Sequence, residues 1–145
     1  MIPPFDSRTG YLPPGIHDGT WSEVKTRFGG NPHRRRLIAG LRRVLRHLGQ
    51  AGCGSILLNG SFVTNKPAPN DYDAAWEPAH VDPDRLDPVL LDFSNGRAAM
   101  KRKYGGELFP AGGRAIADMT FRDLFQRDRD GARKGIVRID PRSVK

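Results

Sequence analysis

Leu58-Asn59-Gly60-Ser61 and, nine residues later, Asp71-Tyr72-Asp73-Ala74-Ala75-Trp76 decide the fold. Ser55-Ile56-Leu57-Leu58-Asn59 is a short apolar run suited to a buried strand. Gly60-Ser61 breaks that run and opens a helical turn, and Thr64 to Asn70 is a polar loop with two prolines. The second segment reads as the next strand, with Tyr72 and Trp76 supplying β propensity and Pro78 ending it. Aspartates two apart on a strand point from one face, because side chains alternate. Carboxylates so close repel each other unless a cation sits between them. Magnesium takes hard oxygen ligands, typically one or two carboxylates together with substrate phosphates. The pair therefore reads as a metal clamp, and the preceding glycine-serine turn as a place where free N–H groups and the Ser61 hydroxyl meet phosphate.

Working outward, Thr20 and Glu23 form a capping box for a first helix through Val24 and Phe28, stopped by Gly29-Gly30. Asn31 caps a second helix with Pro32 at its first position, running to about Leu48 or Gly49. At 100° per residue, Leu37, Ile38, Leu41, Val44, Leu45 and Leu48 share one arc, and Arg35, Arg36, Arg42, Arg43 and Arg46 share a neighbouring one without an acid. Helices are expected over 84–93 and 97–104, a third strand over 106–109, a short helix capped by Thr120, and a last strand over 135–139. Residues 111–118 carry no clear pattern. Residues 1–19, with four prolines and three glycines, form an extended strap whose Phe5, Tyr11, Leu12 and Ile16 lie against the domain. Residues 20–145 are then one α/β (α+β) domain, a small mixed sheet flanked by helices.

Composition narrows the class. Lys and Arg number 24 against 16 Asp and Glu, giving 24 − 16 = +8, a balance suited to an anionic partner. One cysteine, Cys53, excludes an internal disulfide, and its apolar setting marks a buried structural thiol. No stretch approaches the roughly 20 apolar residues of a membrane span, and the N-terminus lacks a signal-peptide pattern, so a cytoplasmic location is expected. The four histidines show no metal-ligand spacing, and His17 is expected to make a structural hydrogen bond.

Gly60-Ser61, the nine-residue gap and Asp71-Tyr72-Asp73-Ala74 resemble the signature of the DNA polymerase β-like nucleotidyltransferase superfamily, particularly its minimal bacterial members. Ile2-Pro3-Pro4-Phe5, Leu12-Pro13-Pro14-Gly15-Ile16-His17 and Lys134-Gly135-Ile136-Val137 extend the likeness to short bacterial proteins of unassigned function in that superfamily. The resemblance implies a nucleotidyltransferase-like fold and a two-metal Mg²⁺ site held by Asp71 and Asp73 with a third acid. It also implies an NTP gripped by Gly60 and Ser61, and transfer of an NMP to an acceptor hydroxyl. Glu107, on the expected third strand, is the first choice for that third acid, with Asp118 and Asp92 in reserve. Thr64, Lys66, Lys101 and Lys103 are candidates to hold phosphates, and Arg97 to hold phosphates or an acceptor backbone. Tyr72 and Trp76 are expected in the core. The basic helices favour tRNA or other RNA as acceptor. Some minimal members act in toxin–antitoxin or defence pairs on tRNA or a partner protein. The alternative is a non-catalytic nucleotide-, RNA- or partner-binding module on the same fold.

Overall fold

The computed structural model describes residues 1–112, 114–116, 119–128 and 130–145. The chain begins as an extended strap and enters the sheet at β1 (Gly15–Asp18). Helices α1 (Trp21–Phe28) and α2 (Pro32–Gln50) follow, then β2 (Ile56–Asn59), one 3-10 turn over Ser61–Val63, and β3 (Tyr72–Trp76). Next come α3 (Ser94–Tyr104), β4 (Gly106–Pro110), the small hairpin β5 (Arg114–Ile116) and β6 (Met119–Thr120), α4 (Phe121–Phe125) and β7 (Gly135–Ile139). The main sheet runs β1-β7-β2-β3-β4, with parallel pairs at both edges and antiparallel pairs in the middle. This is the mixed α/β architecture expected from the order of elements.

Local chemistry starts the helices where the sequence says. The Thr20 hydroxyl accepts from the Glu23 N–H while Glu23 accepts from the Thr20 N–H, closing the capping box. Asn31 accepts from the Arg34 N–H, and Pro32 fills the first turn of α2. Burial of Leu37, Leu41, Val44, Leu45 and Leu48 fixes α2 on the sheet, each side chain contributing roughly 1.5–3 kcal/mol of gross transfer energy. Arg35, Arg36, Arg42, Arg43 and Arg46 stay exposed on its outer side. Gly40 permits α3 to come close, since a Cβ there would stand 2.0 Å from the Tyr104 carbonyl oxygen.

Strand alternation sorts the two faces of the sheet. Ile56, Leu58, Tyr72, Ala74, Trp76, Leu108, Val137 and Ile139 join the larger core with α1, α2 and α3. Leu57, Ala75 and Ile136 join a smaller cluster with Phe125 of α4. Asn59, Asp73, Glu107 and Phe109 alternate onto that second face, which is only partly covered.

Two expectations need correction. Residues 84–93 do not form an α-helix: Pro88 follows the extended Asp87, whose side chain caps a single 3-10 turn over Pro88–Leu91. The helix expected over 97–104 is present: in α3, Asn95, Gly96 and Arg97 have left-handed backbones (Asn95 φ 51°, Arg97 φ 65°), and regular helix runs from there to Tyr104. The 1–19 strap also ends inside the sheet, because Gly15–Asp18 pairs in parallel with Gly135–Arg138.

Candidate functional site

The site is built around the exit from β2. Gly60 takes φ 84°, a conformation that favours glycine, and a Cβ there would lie 2.6 Å from Oδ2 of Asp73. The bare backbone of the turn therefore lies directly against that carboxylate. The following loop is held from beneath by Arg34, which is 6% exposed. Its Nη1 donates to the carbonyls of Phe28 (3.1 Å) and Phe62 (2.7 Å), and its Nη2 to those of Thr64 (2.8 Å) and Lys66 (2.5 Å). Thr64 Oγ1 donates to the Ser61 carbonyl at 2.7 Å and accepts from the Lys66 N–H. Asn31 donates to the Pro67 carbonyl, and His33 meets that of Pro69, so the start of α2 is stitched to the whole loop.

Above the turn opens a cleft of about 670 Å³. Gly60, Ser61, Thr64, Lys66, Asp73 and Lys134 line it, with Thr9 and Tyr11 of the strap on one wall and Arg127, Asp128 and Asp130 on another. Tyr11 donates its hydroxyl to Asp128 at 3.1 Å, tying the strap to the segment that leads into β7. Burial lowers the pKa of Lys134, opposed by the charges of Asp73 and Asp128. The acids respond in the opposite sense. Burial foremost, then the charges of Asp71 and Glu107, pushes Asp73 up to about 6. Asp71 is also raised, by burial and by Glu107, with Lys101 and Arg97 opposing.

Sheet register puts Asp73 directly opposite both Asn59 and Glu107. Glu107 nevertheless spends both oxygens on cations, Lys101 Nζ at 2.8 Å and Arg97 Nε at 3.1 Å. Among the described residues, no group of three or more His, Cys, Asp or Glu side chains is gathered into a ready metal cage. The chemistry of the acid pair still fits magnesium. Hard carboxylates crowd together, and burial with their mutual repulsion raises their pKa values, an unfavourable charge that a divalent cation would relieve.

Of the residues expected from the sequence, Gly60, Ser61, Thr64, Lys66 and Asp73 meet in the cleft. Asp71 stands beside them but outside the cleft lining, and Glu107 and Lys101 form an ion pair next to the acids. Lys103 is a correction: it turns to Asp87 at 2.5 Å and lies over the Tyr104 ring, because its place on α3 points it at the 3-10 turn. Asp92 accepts from the Ser94 N–H and hydroxyl and contributes to a turn instead. Asp118 lies outside the described residues. Tyr72 and Trp76 are core residues, His17 contacts the Pro13 carbonyl at 2.6 Å, and Cys53 is buried. Arg34, Lys134, Tyr11 and Asp128 are site residues that the sequence did not single out. Two left a signal: Arg34, a cation on the apolar arc of α2, and Lys134, a cation immediately before an apolar strand.

Fold and site together define a mixed α/β protein with a polar cleft, where a glycine-serine turn, lysines and crowded carboxylates meet at the sheet. The chain belongs to a family of unknown function, DUF6932, which it matches over residues 3–140. No curated protein and no solved structure matches it. Among the described residues no helix is long and apolar enough to cross a membrane.

Proposed function

We propose that this chain is a Mg²⁺-dependent nucleotidyltransferase that moves an NMP from an NTP to an acceptor hydroxyl, with pyrophosphate leaving. The observation that carries the reading is the close approach of the Gly60 backbone to the Asp73 carboxylate inside a cleft lined by Ser61, Lys66 and Lys134. Asp71 and Asp73 would hold magnesium, with Glu107 as third acid on giving up one of its two cations. Magnesium, when bound, would neutralise phosphate charge and lower the pKa of the attacking hydroxyl. The chain's own residues do the positioning: the Gly60-Ser61 turn and the Ser61 hydroxyl grip phosphate oxygens, and Lys66 and Lys134 balance their charge. Arg34 keeps the loop carbonyls turned inward, which leaves the outer surface of the loop to the substrate. Lys101 stands with Glu107 at the edge of the acid group. The exposed arginines of α2 favour an RNA acceptor, tRNA included, and a cytoplasmic setting accords with such substrates. A cognate partner protein, as in a toxin–antitoxin or defence pair, is the other acceptor class in view.

A second reading, a nucleotide- or RNA-binding module without chemistry, draws on the ion-paired state of Glu107. Incubation with magnesium and each α-labelled NTP, with and without tRNA, separates the two. The enzyme reading expects label on an acceptor, lost in Asp71→Ala and Asp73→Ala. Nucleotide binding without transfer to any acceptor would leave the module.

A further inference from the structure

Asp73 borders a second cleft, of about 310 Å³, which shares Arg127 and Asp128 with the first. Its walls are aromatic. Phe109 of β4 and Phe121 of α4 stack with ring centroids 4.3 Å apart and planes 14° from parallel, and Phe125 meets Phe109 edge-on. Phe93, 42% exposed, continues the column on Phe109 with its ring parallel, and the Arg97 guanidinium lies 5.6 Å from the Phe109 centroid. At the inner end stands Asn59, 5% exposed, whose Oδ1 is buried with no hydrogen-bond partner among the described residues. A buried amide oxygen without a donor is costly, and such a group in a cleft marks where a ligand supplies the missing bond. Glu107, Asp128 and Arg127 also line the cleft, with Arg127 Nη1 donating to the Gly131 carbonyl.

We infer that this aromatic cleft is the acceptor subsite, and that it takes a nucleobase at the end of a single-stranded nucleic acid. The inference rests on the nucleotidyltransferase reading only for the word acceptor; the base-binding slot stands on its own geometry. An aromatic wall offers π surface to any base, and the Asn59 amide oxygen accepts the N–H that every base carries on its pairing edge. Arg127 in the lining matches a phosphate of the strand. Asp73 borders both clefts, so a base held against this aromatic wall brings its own sugar hydroxyl towards the carboxylate that borders the triphosphate cleft.

The test compares strands on the unaltered protein. Fluorescence anisotropy follows short fluorescein-labelled oligo(rA), oligo(dA) and an oligo(rA) with an abasic 3′ residue, while calorimetry follows ATP with magnesium. The slot predicts about tenfold weaker binding of the abasic strand, the loss of one stacked base. Phe121→Leu, which keeps apolar packing, and Asn59→Leu should each weaken the intact strand several-fold and leave ATP affinity unchanged. Equal RNA and DNA affinities would assign the slot to the base alone, and a preference for either would add the sugar to what is recognised. Equal affinity for intact and abasic strands overturns the inference, as does a Phe121→Leu variant that loses ATP instead of strand, or label transfer to a protein with no base-dependent strand binding. If ATP fails to bind while the strand still depends on its terminal base and on Phe121, the enzyme reading fails and the slot survives.

Discussion

At neutral pH the fold holds a charge on Asp73 where burial and two neighbouring acids make it unfavourable. The Asp73→Asn substitution keeps the shape of the side chain and removes that charge. The carboxyl pKa rises from 3.8 to about 6, and at about 1.4 kcal/mol per unit this corresponds to roughly 3 kcal/mol of destabilisation at pH 7. Solvent on the cleft side screens part of it, so a net gain of about 1–3 kcal/mol is expected for the asparagine variant. For a chain of this length that is roughly 4–10 °C in Tm. Because the folded pKa lies above the unfolded one, the native state takes up its proton first on acidification. Wild-type stability therefore rises, relative to the variant, as pH falls from about 7 towards 4. Whatever its size at pH 7, the gain should shrink to about a third of that value at pH 4.5. Thermal unfolding of both proteins, in EDTA across this range, measures the difference. A variant no more stable than wild type at pH 7, or a gain that does not shrink with acid, refutes the reasoning.

Other substitutions probe the rest of the site. Gly60→Ala places a methyl 2.6 Å from Asp73 Oδ2 on a left-handed backbone, and should cost about 1–3 kcal/mol in denaturant unfolding as well as nucleotide affinity. Arg34→Met leaves the carbonyls of Phe28, Phe62, Thr64 and Lys66 without their donor; a loss of about 3 kcal/mol or more is expected by urea unfolding, with Arg34→Lys recovering part of it. Glu107→Gln frees Arg97 and Lys101 and removes the proposed third acid, so label transfer should fall about 100-fold or more; near-normal transfer would show that Glu107 only anchors those cations.

Where a feature depends on neighbours in the chain, the sequence announced it. The Thr20–Glu23 capping box, the Asn31–Pro32 start of α2 and the alternation that puts Asp73 and Ala75 on one face all follow from residues a few positions apart. The Gly60-Ser61 turn and Asp73 were legible for the same reason, since a short loop returns β3 antiparallel to β2. What stayed hidden depends on distant pairing. Gly15 finds Gly135 across 120 residues, so β1 looked like part of a strap. Lys134 and Asp128 reach the cleft only because β7 inserts between β1 and β2. Arg34 falls within the apolar arc of α2, apart from Arg35 and Arg36, but the carbonyls of the 62–66 loop that bury it come from a distant part of the chain. The helix expected over 84–93 gives way to a 3-10 turn because Pro88 cannot sit inside a helix and the Asp87 side chain caps the turn at Val89.

Electron paramagnetic resonance of Mn²⁺, standing in for magnesium, reaches the heart of the account. Titrated into the protein with a non-hydrolysable ATP analogue, it should give a protein-bound, phosphorus-coupled signal distinct from that of the Mn²⁺–analogue complex alone, and this signal should disappear in Asp73→Asn. A Mn²⁺–analogue spectrum that the protein leaves unchanged, or a protein-bound signal that persists without the Asp73 carboxylate, would contradict a metal–triphosphate site at the Gly60-Ser61 turn.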